Sequence, residues 1–223
     1  MSALGAIFDL DGTLVDSCAS HEQAWIALGE SIGIPVSREF FFRSFGRPNT
    51  PILKALFNEA GRPDPAPALI DALALKKEEL FRSFVTGAFP VMPGTQPLLT
   101  ALHNSGWLLA IGSSAPVLNV QFMLAGIAST TPFAAVVTGD CVAHGKPHPD
   151  VFLEAAARLA LAPTSCVVIE DAAPGVEAAH RAGMKCVALC SAGHTHAELT
   201  DADLIIDHLD ELTPSRLQSL IYQ

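Results

Sequence analysis

Positive charge is scarce in this sequence: 13 Lys and Arg stand against 23 Asp and Glu, for a formal net charge of −10 and a pI near 5.1. Nucleic acid and an anionic membrane surface both call for a positive field, so neither is expected as a partner. An anionic ligand would have to be met by local compensation. Long apolar runs are also missing. Cys186 to Cys190 is typical of the longest, far short of the roughly 20 residues a bilayer span needs. Met1 to Leu10 lacks the basic start of a secretory leader. A soluble, untargeted, cytoplasmic protein is the expectation. Cysteine is sparse and odd in number: Cys18, Cys141, Cys166, Cys186 and Cys190 form no C-x-x-C pair and no zinc-like spacing with histidine. They read as reduced packing residues, with no disulfide framework and no metal-thiolate chemistry. Internal repeats and low-complexity tracts are absent, and Arg62 to Pro67 is a Pro-rich helix connection.

What is abundant is apolar content, 50% of 223 residues, enough for one large domain or a core with an appendage. Leu4 to Leu10 is a short apolar run ending in Asp-Gly chemistry, which predicts a buried strand followed by a turn. From about Asp16 to Pro90 the pattern is helical: Trp25, Leu28 and Ile32 repeat at three and four, Thr50-Pro51 resembles a helix start, and Leu69, Leu73, Lys76 and Leu80 continue the period. After Pro93-Gly94, strands are predicted at Trp107–Gly112, Ala134–Thr138, Cys166–Ile169, Lys185–Leu189 and Leu204–Ile206, with helices between most of them. Repeated strand-helix-strand units imply an α/β fold with a parallel sheet covered on both faces, here with a helical insertion. Ligands in such sheets bind beyond the carboxyl ends of the strands. Asp9 and Asp11, Ser113 and Ser114, Lys146, and Glu170 with Asp171 all follow strands in this way.

Asp9 and Asp11 stand two apart, and their side chains share one side of the sheet only if the chain turns at once, which Gly12 permits. Either acid alone could be an ordinary solvated turn residue. Joined by Glu170 and Asp171, however, they form a group of carboxylates that repel one another unless protons or a cation intervene. A hard divalent ion with all-oxygen ligands suits Mg²⁺, whereas zinc would recruit His or Cys. A carboxylate beside Mg²⁺ can attack phosphorus, and a second, Asp11, can serve as acid and then base if its environment lets it hold a proton. Ser113 precedes a plausible helix start at Pro116 and is either a phosphate contact or a helix cap. Lys146 lies on a turn before a helix beginning near Pro149. Two decoys fail. Gly139 to Lys146 has five residues between its glycines where a P-loop has four, and Pro147 stands where Ser or Thr should be. Gly112-Ser113-Ser114-Ala115 lacks the nucleophile-elbow pattern of a serine hydrolase.

Taken together, and in order, these segments resemble the haloacid dehalogenase superfamily over almost the whole chain. Asp9 to Ser17 resembles its first motif, Ser113 its second, Lys146-Pro147-His148-Pro149-Asp150 its third and Glu170 to Gly175 its fourth. The resemblance implies a Rossmann-like core of residues 1–16 and 91–223 with an α-helical cap of residues 17–90 that closes over the substrate. It also implies Asp9 as nucleophile, Asp11 as acid/base with its carbonyl on Mg²⁺, Glu170 and Asp171 at the metal, and Gly12, Ser113, Ser114 and Lys146 at the phosphate. The insertion resembles the branch that holds β-phosphoglucomutase and small sugar-phosphate phosphatases, and by that similarity His21, Arg47 and Lys76 or Lys77 face the substrate, while Trp25 reads as cap core. The mutases commonly carry a β-branched apolar residue at the position of Thr13 and a polar one at that of Ala115, which tilts the expectation toward a phosphatase. Hydrolysis of a small phosphomonoester by a monomer is therefore expected. A phosphomutase and a non-catalytic regulatory protein of the same fold are the alternatives; a dehalogenase would not need the metal cluster.

Overall fold

The structure is a computed structural model that describes residues 3–85, 89–127, 131–191 and 194–223. The chain divides into two compact units, Met1–Asp16 with Val91–Gln223, and Ser17–Pro90.

In the first unit six strands, β1 (Gly5–Phe8), β2 (Leu108–Gly112), β3 (Ala135–Val137), β4 (Cys166–Glu170), β5 (Lys185–Leu189) and β6 (Leu204–Ile206), form one sheet in the order β3-β2-β1-β4-β5-β6, and every pairing is parallel. Each is a short apolar run bounded by turn residues, as expected of strands buried on both faces. Ile7, Ala110, Val168, Cys186 and Ala188 share one cluster with Phe152 and Ala155 of a helix at Asp150–Arg158 and with Val176 and Ala179 of a helix at Ala173–Arg181. The alternate strand residues, among them Phe8, Leu109, Ile111, Val167 and Ile169, are equally buried. Helices at Thr95–Asn104 and Pro214–Ile221 pack against β2 and β4 respectively. The remaining core helix spans Val117–Ile127.

Strand order reverses at β1. The chain moves outward through β2 and β3 and then returns to pair β4 with β1, so the ends of β1 and β4 are neighbours: Phe8 lies opposite Ile169, and the Asp9 amide donates to the Ile169 carbonyl at 2.9 Å. Such a switch point leaves a crevice at the carboxyl edge.

The second unit consists of helices at Cys18–Ile32, Arg38–Ser44, Asn49–Glu59 and Pro67–Phe84. Their buried faces meet in a cluster that includes Trp25, Leu28, Phe41, Leu53, Leu56, Ile70 and Leu73. Ser37 caps the second helix by accepting from the Phe40 amide at 3.1 Å, and Pro67 occupies the first turn of the fourth, where its missing N–H costs nothing. The buried face of Pro67–Phe84 is set by Ile70, Leu73, Lys77, Glu78 and Phe81, not by Leu69 and Lys76 as the sequence period suggested; Leu69 and Lys76 are exposed.

Candidate active site

The residue after β1 is Asp9, and the chain turns immediately: the Gly12 amide donates to the Val15 carbonyl at 2.8 Å, with Gly12 at φ +78°. Gly12 is required twice over. Its φ is left-handed, and a Cβ there would stand 1.9 Å from an Asp171 carboxylate oxygen. Gly175, in the first turn of the helix after β4, is tied to the same place, since a Cβ would fall 1.9 Å from the Glu170 carboxyl group.

Asp9, Glu170 and Asp171 are all buried, and ligand atoms from the three lie within 4.8 Å of one another. Lys146 reaches into this group, donating to Asp9 Oδ1 at 2.6 Å and to Glu170 Oε1 at 2.7 Å, with its ammonium 4.8 Å from the centre of the Phe152 ring. Glu170 is engaged at both oxygens, because Oε2 accepts from the backbone amides of Asp171 and Ala172 at 2.7 and 2.6 Å. That arrangement suits a residue that orients Lys146 better than one turned wholly to a metal. Burial pushes the Asp9 carboxyl up to about 7, with the Lys146 ammonium acting in the opposite direction and Glu170 and Asp11 adding to the rise. Burial, then Glu170 and Asp9, hold Asp171 well above the usual carboxylate range. For Lys146, burial favours the neutral amine, but Asp9 and Glu170 outweigh it and raise the group above its ordinary value.

Three buried carboxylates thus face one ammonium. A divalent cation fits this donor set, because it would supply the charge that the protein leaves uncompensated, through oxygen ligands. Asp11 lies on the same turn, its backbone bridged to Val15.

Ser113 follows β2 and is buried; its hydroxyl accepts from the Ala115 amide at 3.0 Å. It does not cap the next helix. Asp140 does, accepting from the Val117 amide at 2.7 Å from 23 residues away. Ser114 is half-buried beside it.

Two residues of this edge were not read from the sequence. Ser191, just past β5, donates to Asp171 Oδ2 at 2.8 Å, and His194 Nε2 lies 4.0 Å from the same oxygen. Their position after a strand of the same sheet was the available signal.

In the helical unit the structure separates the two lysine candidates. Lys76 is exposed and pairs with Glu79 at 3.4 Å. Lys77 is only 4% exposed; its ammonium is 2.8 Å from His21 Nδ1 and donates to Glu78 at 3.0 Å. Asn49 donates to the same Glu78 oxygen at 2.6 Å. Burial acts to raise the Glu78 carboxyl, but Lys77 and then His21 overcome it and leave it below the usual range. His21 also stacks on Phe81, with ring centroids 3.9 Å apart. Lys77, not Lys76, is therefore the lysine that belongs with His21. Arg47 is exposed between the second and third helices.

The five cysteines depart from the sequence reading at one position. Cys18, Cys166 and Cys186 are buried and Cys190 partly so, but Cys141 is exposed.

Residues 4–183 match the family model for haloacid dehalogenase-like hydrolases, and the chain belongs to that family. It is 31% identical to hexitol phosphatase A of Escherichia coli over 97% of this chain and 96% of the relative, and 31% identical to the β-phosphoglucomutase of Bacillus subtilis over 93% and 90%. A 5-amino-6-(5-phospho-D-ribitylamino)uracil phosphatase of Arabidopsis thaliana is likewise 31% identical over 97% of this chain, which spans 57% of that longer protein. The fold is that of a solved β-phosphoglucomutase from Clostridium difficile, with a TM-score of 0.88 at 23% identity over 99% of this chain and 98% of that one.

Proposed function

We propose that the protein is a Mg²⁺-dependent phosphatase that hydrolyses a small phosphomonoester, such as a sugar phosphate, through an aspartyl phosphate on Asp9. The observation that carries this reading is the convergence of Asp9, Glu170, Asp171 and Lys146 at the switch point of the sheet.

Asp9 and Asp171 would hold the metal through carboxylate oxygens and Asp11 through its carbonyl; when bound, the ion neutralises charge on the phosphoryl oxygens. Lys146 fixes the Asp9 carboxylate by its 2.6 Å contact and leaves the second oxygen for attack on phosphorus. Asp11 gives a proton to the departing ester oxygen as the Asp9–phosphorus bond forms. Asp11 then takes a proton from water as the water oxygen displaces Asp9 from phosphorus, which frees the Asp9 carboxylate and returns Asp11 to its protonated form. Ser113 and the backbone amides of its turn are candidates for the phosphate oxygens, and Ser191 and His194 for holding Asp171 in place. Among the residues of the helical unit, His21, Lys77 and Arg47 are the candidates for selecting the ester.

A phosphomutase is the second reading, favoured by the equal identity to the Bacillus subtilis mutase. Inorganic phosphate released from a panel of sugar phosphates, phosphoglycolate and nucleotides, with Mg²⁺ and with chelator, separates the two. Release on a few substrates that stops with chelator is expected. Isomeric sugar phosphates with little free phosphate would show a mutase, and release that persists in chelator would remove the metal from the reading.

A further inference from the structure

The loop that delivers Lys146 to Asp9 carries a second set of convergent donors that the phosphate chemistry does not use. His144 Nδ1 lies 3.0 Å from Asp150 Oδ2, and His148 Nδ1 lies 2.7 Å from Asp150 Oδ1. The two imidazole rings sit 4.5 Å apart, and one donor atom from each of the three residues lies within 4.8 Å of the others. The backbone imposes this convergence. The His148 amide donates to the Gly145 carbonyl at 3.0 Å, which folds residue 148 back toward 144, and Asp150 is the first residue of the helix Asp150–Arg158.

We propose that His144, His148 and Asp150 form a binding site for a borderline divalent transition ion, such as Zn²⁺, Co²⁺ or Ni²⁺, separate from the carboxylate cluster at Asp9. Two imidazoles and one carboxylate select ions of this class over Mg²⁺, which prefers oxygen throughout. Three protein ligands leave further positions to water, and the side chains, 65%, 46% and 28% exposed, give an ion direct access from solvent. Metal–nitrogen bonds of about 2.0–2.1 Å place tetrahedral ligand atoms roughly 3.3–3.4 Å apart. The observed contacts therefore need to open by a few tenths of an ångström, which exposed imidazoles allow by rotating. With Nδ1 on the ion, each neutral imidazole carries its proton on Nε2. An ion held in this way joins residue 144 to residue 150 across Lys146, fastening the segment that positions the Lys146 ammonium against Asp9.

The test is titration of the full-length protein with Co²⁺ under saturating Mg²⁺, which keeps the carboxylate cluster occupied, followed by calorimetry and by visible absorption of the ion. One Co²⁺ per chain is expected, with His144→Ala and His148→Ala each weakening it at least about tenfold, since even the loss of an outer-shell partner costs about that much. His196→Ala serves as the control, because Cys190, His196 and Asp207 are the other grouping of this kind among the described residues. Retention of the ion in His196→Ala supports the proposal. Binding that survives both His144→Ala and His148→Ala overturns it, as does an intense sulfur-to-cobalt charge-transfer band, which would assign the ion to Cys190. Failure of wild type to bind Co²⁺ under these conditions also overturns it. Thermal melts of each variant confirm that the exposed substitutions leave the fold intact.

Discussion

Thr13 is fully buried, and its hydroxyl has no hydrogen-bond partner among the described residues. A buried polar group left unsatisfied costs about 1–3 kcal/mol, whereas an isosteric apolar side chain at the same place carries no such cost. Thr13→Val is therefore expected to stabilise the protein by about 1 kcal/mol, seen as a higher urea midpoint at unchanged slope. A drop in turnover in the same variant would mark the hydroxyl as a group retained for function at the expense of stability. Asp9→Asn preserves shape but removes the oxygen proposed as nucleophile and one negative charge. Loss of turnover by at least roughly 10³-fold, with the circular dichroism spectrum unchanged, is the expected result; near-normal turnover would sink the aspartyl-phosphate reading. Gly12 shows how far single residues can be read in advance. Its turn was legible because glycine marks one, but the Asp171 oxygen that a Cβ would meet at 1.9 Å was not, since that partner lies far along the chain.

Among the elements, the helix Pro67–Phe84 gives the sharpest contrast between adjacent residues. Lys77→Ala would leave Glu78 buried without its ammonium, and breaking a buried pair from one side costs about 3–5 kcal/mol. Lys76→Ala, on the exposed side, should change stability by no more than about 0.5 kcal/mol. Urea denaturation of the two variants measures both. The sequence period placed Lys76 on the wrong side because Leu73 belongs to either choice of face, and the deciding residues, Ile70 and Phe81, flank an acid and a lysine that a hydropathy pattern reads as solvent-facing. The strands were more readily legible. Most are continuous apolar runs closed by Gly, Asp or Thr, and burial on both faces leaves little polar alternation to confuse the reading. Ser113 was ambiguous for a third reason: the cap of the helix Val117–Ile127 comes from Asp140, a contact made by the fold and not by local spacing. Ser191 and His194 escaped because position after a strand was the sole signal they gave, and it does not name a carboxylate partner 20 or more residues away.

For the molecule as a whole, the thiols report how tightly the chain is closed. Cys141 is exposed, and its hydrogen bond with Thr138 holds it below the usual thiol range, so it should be alkylated first under native conditions. Burial pushes Cys166 up to about 11 and, with Glu170 and Asp203 adding to the effect, holds Cys186 well above the ordinary value; both should remain unlabelled until the protein unfolds. Mass spectrometry of intact and urea-treated protein after brief iodoacetamide exposure checks this order. Between its ordinary value of 9.0 and about 11, the folded chain retains a proton on Cys166 that the unfolded chain has lost. The corresponding stability is present below pH 9 or so and declines as pH rises through that window, which alkaline denaturation curves of wild type and Cys166→Ala should resolve.

The segment 17–90 leaves the sheet unit after residue 16 and rejoins it at 91, where Val15 bridges Val91 in antiparallel fashion and the Met92 amide donates to the Leu14 carbonyl at 2.9 Å. Its two ends are thus zipped together within the unit that carries the strands. A shorter or longer sequence spliced between those ends would meet the sheet unit at the same paired joint. If this segment selects the ester as proposed, selectivity can diversify by its exchange at that joint while Asp9, Lys146 and Asp171 stay in the other unit.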